Sequence, residues 1–581
     1  MNRKPIIYQL LPRLFTNYNE KCMPNGTLEQ NGSGKLNDIT PKVLDAIKQL
    51  GVTHVWYTGV IEHAHCADYS DHGIERDNRH VVKGQAGSPY AISDYYDIDP
   101  DLAVNVDKRM DEFEALVKRT HETGLKVIID FVPNHVARRY HSDAAPTGIK
   151  DLGADDDNSK FFSPFNNFYY VPRQKFSPSV DMGSGNDAYV EFPAKASGND
   201  CFTAFPGRND WYDTVKLNYG VDYGDNTQHF HPIPDTWFKM LHILRYWASK
   251  GIDGFRCDMV HMVPLEFWQW AIPIVKEHYP EIVFIAEIYD PALYRDFINL
   301  GGFDYLYDKV NLYDTLRGIQ TSDVSAAQIT GCWQTVEGIA GNMLNFLENH
   351  DEQRFASAFY AGDPVKVIPS LVVSSMISTG PMMIYAGQEL GEPAADAEGY
   401  SGYDGRTTIF DYWSVDTLRR WLNGGNPSEA NLSPRERWLR NAYCRILGIC
   451  GSEKAIGIGR FFDLMYVNYN NPTLNPHRQY VFIRSYDDEA LVVAVNFGAE
   501  SCDMKVNVPK LAFEMLQIPE GTTEMVELLT GDKATVTFSS TTPLPVFLKP
   551  YGAAVWKVVH KNNVAAGKKK VVQSGKKSKK S

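Results

Sequence analysis

One local pattern recurs along the chain. Eight short apolar runs, mostly rich in β-branched residues, occur in succession: PIIYQLL, GVTHVWYTGV, LKVIIDFV, GIDGFRC, IVFIAEI, FDYLYDKV, NMLNFLE and PMMIYAG. Helical periodicity fills many of the gaps, as at Pro41–Leu50 and at Asp107–Thr123, the latter stopping on Gly124. Near-continuous apolar strands separated by amphipathic helices imply a parallel sheet whose two faces are both covered. Eight such units imply an α/β fold of the closed (β/α)8 TIM-barrel type.

Two irregularities define the rest of the architecture. About 100 residues between Phe131 and Pro234 show little helical periodicity and are rich in Gly, Asp, Asn and aromatics. A segment that long is expected to carry structure of its own, here an inserted subdomain on the barrel's top face. After PRERWLRNAYCRILGIC the pattern changes to alternating segments such as QYVFIRSY, ALVVAVNF, MKVNVP, ATVTFSS and GAAVWKVV, which read as a C-terminal antiparallel β domain. The expected boundaries are 1–135 for the first part of the barrel and 136–225 for the insertion. The barrel resumes over 226–454, the β-sandwich domain follows over 455–560, and 561–581 form a basic tail expected to be disordered.

Charge narrows the partners. The net charge is −13, and the last 21 residues contribute eight lysines and no acid, so the body carries −13 − 8 = −21. An acidic body argues against nucleic acid as substrate. The first residues, MNRKPIIYQLLPRLF, have an apolar patch cut short by Pro12 and Arg13, and read as a strand rather than a leader. No apolar run is long enough to cross a bilayer, and the eight cysteines are irregularly spaced. These features lead us to expect a cytoplasmic protein without a membrane partner.

Chemistry in such a barrel is expected where strands end at the C-terminal face. The third run ends Asp130-Phe-Val-Pro-Asn134-His135, the fourth Arg256-Cys-Asp258, the fifth Ala286-Glu287 and the seventh Asn349-His350-Asp351-Glu-Gln-Arg354. Any one acid after a strand is most simply a helix cap. Acids gathered from several strand ends repel one another, so their joint presence points to a site. Paired carboxylates suit glycosidic bond cleavage, one ionised and attacking, the other protonated and donating to the leaving oxygen. Arg256 and Asp258, two residues apart on a strand, face the same side, so the guanidinium would hold the acid ionised.

These residues identify a resemblance. DFVPNH (130–135), GFRCDMVH (254–261), AEIYD (286–290) and ENHDEQR (348–354), in this order, resemble the four best-known motifs of the α-amylase superfamily of retaining glycoside hydrolases. GVTHVW (51–56) and GPMMIYAGQE (380–389) match weaker signals of the same family. The resemblance implies Asp258 as nucleophile, Glu287 as general acid and base, and Asp351 as the third acid that stabilises the transition state. It implies sugar-binding roles for Tyr90, His135, Arg256, His261, His350 and Arg354, with Asp130 as a supporting acid. Where family members typically carry Lys-His after the nucleophile, this chain has His261-Met262, a change on the acceptor side.

Family members also often bind calcium, through an asparagine like Asn134 and an aspartate. Lys216 stands where that aspartate is expected, and an ammonium can replace a cation's charge but cannot ligate one. No cofactor is therefore expected to be required, and Lys216 is expected to take calcium's place. The expected activity is hydrolysis of α-1,4-linked maltodextrins or starch. Glucanotransfer through the same covalent intermediate is the alternative, and a non-catalytic carbohydrate-binding or partner subunit a third reading. The expected partner is an α-glucan.

Overall fold

The computed structural model describes residues 4–487 and 489–559. The basic tail expected at 561–581 lies outside the described residues. All eight apolar runs form strands: β1 (Ile6–Leu10), β2 (His54–Tyr57), β3 (Lys126–Phe131), β4 (Gly254–Cys257), β5 (Val283–Ala286), β6 (Tyr305–Tyr307), β7 (Met343–Phe346) and β8 (Met382–Tyr385). They pair in sequence order, and β8 returns to β1 in parallel, with Ile7 opposite Met383, to close the barrel.

The strands' period of two sorts their residues into layers. Ile7, Trp56, Ile128, Ile285, Leu344 and Met383 pack together as a buried apolar cluster of barrel residues. Two residues further along β1, β3 and β5 stand Gln9, Asp130 and Glu287, and Arg256 lies in register with Asp130 across β3 and β4. The inward face thus changes from apolar to charged within a single two-residue step. Side chains of the other parity face the helices. Among these helices are Pro41–Lys48, Arg109–Glu122, Asp235–Ser249, Leu265–His278 and Val367–Met376. The last is buried on every face, because the barrel covers one side and the C-terminal sheet the other.

Residues between β3 and β4 form three small antiparallel pairs. The first joins His135–Ala137, just past β3, to Thr214–Lys216, so the excursion begins and ends beside the barrel mouth. Val171, Phe176, Ala194, Ala204 and Tyr212 form a small apolar cluster with Val81, from the segment between β2 and β3.

The C-terminal region has a six-stranded antiparallel sheet and a separate pair, Cys502–Val506 with Leu544–Leu548. Its apolar residues are continuous with the barrel's core. The buried guanidinium of Arg484 donates to the carbonyls of Ile377, Ala455, Ile456 and Gly459, tying the sheet to the last barrel helices. Three strands here escape the alternation pattern. Arg460–Asp463 is short, Gly521–Glu527 is rich in Thr and Glu, and Leu544–Leu548 contains Pro545, which reads as a breaker.

Candidate active site

The strand ends converge on one cleft of about 300 Å³, whose wall includes Asp258, Glu287, Asp351, Tyr90, His135 and Trp211. Its floor is organised by Arg256, which is 1% exposed. One Nη contacts Asp258 at 2.7 Å and Asp130 at 3.5 Å, while the other contacts Glu287 at 2.8 Å. Nε donates to the Tyr307 hydroxyl at 3.3 Å. The rings of Trp56, Tyr90 and Tyr307 lie 5.2–5.6 Å from the guanidinium carbon and exclude water around it.

Four carboxylates therefore share one nearby cation. Burial raises Asp258 and Glu287 above their ordinary values, and Arg256 opposes the rise in both. Asp258 also raises Glu287 through its charge. Burial, opposed by Arg256, pushes Asp130 up to about 6. Asp351 is pushed up to about 8 by desolvation and then by the charge of Glu287, although 42% of its side chain still faces the cleft. The cluster thus holds protons near neutrality, as required of a site needing an acid and an ionised carboxylate together.

The turn after β4 shapes the acid's surroundings. Met259 adopts a left-handed conformation, φ +43°, unfavourable for a residue with a Cβ. Its amide donates to Glu287 Oε2 at 2.9 Å. The Tyr289 hydroxyl donates to Glu287 Oε1 at 2.5 Å. Tyr90 is carried by a loop that crosses close to the chain at Ala64. A Cβ on Gly87, where φ is +69°, would lie 1.7 Å from the Ala64 carbonyl oxygen, so only glycine fits.

His350 is buried, and desolvation followed by the charge of Arg256 keeps it neutral. Its Nδ1 lies 2.7 Å from the Gln9 amide nitrogen, and Nε2 lies 2.5 Å from the Tyr90 hydroxyl and 3.1 Å from Asp351. Gln9, as donor, makes Nδ1 the acceptor and leaves the proton on Nε2, facing Asp351. His135 packs against Trp211, its ring 5.1 Å away, and burial lowers it to about 3. His261 is half-buried, and its ring lies 6.4 Å from that of Tyr289.

Arg354 is not brought into the cleft wall. Its guanidinium is committed to Glu348 at 3.0 Å and Thr407 at 2.8 Å, and lies 3.9 Å over the Tyr385 ring. Gln9, Tyr289 and Trp211 belong to the site's surroundings but escaped the sequence reading. Gln9 left a signal, as a polar residue at an inward position of an apolar strand.

The position that family resemblance associates with calcium does not suit a cation. The Lys216 ammonium, 2% exposed, bonds Asn134 Oδ1, Asp200 at 2.7 Å and the Met262 carbonyl at 3.0 Å. A positive charge thus already stands among the oxygens that would surround a metal.

Residues 9–443 match the model of the α-amylase catalytic domain. The chain belongs to this family. It is 25% identical over 419 residues to an α-amylase of Streptomyces lividans, covering 66% of this chain and 42% of that protein. It is 24% identical over 461 residues to a cyclomaltodextrin glucanotransferase of Bacillus licheniformis, covering 75% of this chain and 56% of that one. The chain thus spans about half the length of these relatives. In fold it is similar to an α-amylase structure from Geobacillus thermoleovorans, with TM-score 0.61, 20% identity, and coverage of 96% of this chain and 99% of that one.

Removing the shared cation gives a pH-dependent penalty. Asp130 and Glu287 have raised values when folded, so their contribution to stability falls as pH rises from the unfolded value through the folded one. Without the guanidinium these values rise further and the loss reaches higher pH. Arg256→Met is expected to cost about 3–5 kcal/mol at about pH 8 and clearly less at about pH 5. Urea midpoints of variant and parent at both pH values check this; equal losses would refute the shared-cation account.

Proposed function

We propose that the chain is a retaining α-glucan-active enzyme cleaving α-1,4-glucosidic bonds of maltodextrins or starch by double displacement. The observation that carries this reading is a single guanidinium touching both Asp258 and Glu287 at the base of the cleft that Asp351 also lines. Carboxyls held by one fork are closely set, which favours the spacing of about 5–5.5 Å used by retaining enzymes over the roughly 6.5–9.5 Å of inverting ones.

The electrostatics supply the sequence of roles. Arg256 keeps Asp258 ionised for attack on the anomeric carbon, while burial and the charge of Asp258 keep the proton on Glu287 for the departing oxygen. Once Asp258 is glycosylated its charge is gone, and Glu287 loses that source of its raised value. It can then take a proton from the incoming acceptor hydroxyl. His350, fixed with its Nε2 proton outward, and Asp351 are placed to bind sugar hydroxyls. Tyr90 supplies an aromatic face for the reacting ring.

The relatives' names include both a hydrolase and a glucanotransferase, and His261, which the resemblance puts on the acceptor side, has its ring near that of Tyr289. Water as acceptor is the leading reading and a second sugar the alternative. A non-catalytic subunit is disfavoured by the intact trio of acids. The cytoplasmic reading is supported by eight free thiols. Among the described residues, no helix is long and apolar enough to cross a membrane.

A timed product profile on maltoheptaose tests the central reading. Hydrolysis gives only shorter products, initially of α configuration by NMR, whereas early products longer than the substrate indicate transfer. Glu287→Gln is expected to lose about 10²–10⁴-fold in rate. Wild-type inactivity on every α-glucan would sink the proposal.

Tyr289 donates to the ionised form of Glu287 and so lowers its value. Tyr289→Phe is therefore expected to move the alkaline limb of kcat/KM to higher pH, leaving the acid limb in place. We further propose that Lys216 serves in place of calcium. Lys216→Met is expected to lower the melting temperature relative to the wild type by the same margin with and without calcium, and a calcium ion beside Asn134 in a metal-soaked crystal of the wild type would rule this out.

A further inference from the structure

A second group of acids lies outside the cleft. Glu62 follows β2, Asp94 lies four residues beyond Tyr90, and Asp143 follows the first strand of the excursion after β3. One carboxylate oxygen from each lies within 4.8 Å of the other two. The main chain holds the three together. The Glu62 carbonyl accepts from the amides of Ser93 at 3.0 Å and Asp94 at 3.4 Å, and Asp94 Oδ2 accepts from the amides of Asp143 at 3.0 Å and Ala144 at 3.3 Å.

Their charge is poorly matched. Arg109 is the cation that reaches this neighbourhood, and it pairs with Asp97 at 2.6 Å and more distantly with Asp143 at 3.8 Å. Among the described residues, no lysine, arginine or histidine forms an ion pair with Glu62 or Asp94. Glu62 is 4% exposed, and its Oε2 has no hydrogen-bond partner among the described residues. Burying an unpartnered carboxylate oxygen beside two further acids is costly unless a cation or a proton joins them. Burial and then the charges of Asp94, Asp143 and Asp97 push Glu62 up to about 9. Burial likewise pushes Asp94 up to about 6.

We propose that Glu62, Asp94 and Asp143 form a calcium-binding site that ties the loop carrying Tyr90 to the start of the excursion after β3. The ligands are all hard oxygens, and bonds of about 2.3–2.6 Å from a common centre can span their separation. The exposed Asp143 gives the ion a route from solvent, and the flexible coordination of calcium suits a group with one exposed ligand. The site is distinct from the Lys216 position, where an ammonium holds the oxygens. A neighbouring group, His65, Asp99 and Asp101, is a weaker candidate. Two tyrosine hydroxyls already donate to Asp101, and His63 pairs with Asp99 at 3.0 Å.

The test is calorimetric titration of chelator-treated full-length protein with calcium chloride, alongside thermal melts with and without the ion. The wild type is expected to take up calcium and to melt several degrees higher in its presence. Asp143→Asn, an exposed change with little risk to folding, and Glu62→Gln are each expected to weaken uptake by about tenfold or more. Both are also expected to flatten the thermal response. Absence of calcium uptake by the wild type would show that protons alone balance the group, and would overturn the proposal. Uptake surviving unchanged in both Asp143→Asn and Glu62→Gln would place the ion elsewhere and overturn it equally.

Discussion

The site depends on one buried cation among four acids. Arg256 sits at the level where the barrel's inward face stops being apolar, and its two terminal nitrogens reach Asp258 and Glu287 from below. A guanidinium suits this position because it is planar, stays charged and can engage two carboxylates at once. Trp56, Tyr90 and Tyr307 shield it, which strengthens its attraction for the acids and also makes its loss severe. The raised values of Asp130, Glu287 and Asp351 follow first from burial, which the single guanidinium opposes without cancelling.

Around that core, loops complete the cleft. The left-handed Met259 turn aims an amide at Glu287, and Gly87 lets the Tyr90 loop pass against Ala64. His135 and Lys216 pair in register at the root of the excursion after β3, so the wall holding His135 and the ammonium bonded to Asn134 belong to one small sheet. The barrel supplies rigid strand ends, and the loops supply shape. This division places strain and buried charge at the mouth while the barrel interior below stays apolar.

Much of this was legible in the chain. All eight strands announced themselves because a parallel sheet covered on both faces needs nearly continuous apolar runs. The acids stood out because each interrupts such a run at its end. The misses have equally physical causes. Arg354 carries a charge at a strand exit, and its buried ion pair with Glu348, six residues earlier, is a partner that the spacing did not announce. Tyr289 carries no pattern of its own in AEIYD. In the C-terminal region Pro545 concealed a strand, because a missing N–H matters less in a two-stranded pair than in the middle of a sheet.

Sequence alone determined the barrel, its excursion, the trailing β region and the set of acids at strand ends, because those features depend on local periodicity and on where charge interrupts it. Tertiary structure alone decided which charges meet. Gln9 and His350 lie 341 residues apart, yet their contact sets which ring nitrogen carries the proton. Glu62, Asp94 and Asp143 come from separate segments and become a cluster only when their backbones interlock. Such pairings rest on distances across the fold, and no periodicity in the chain encodes them.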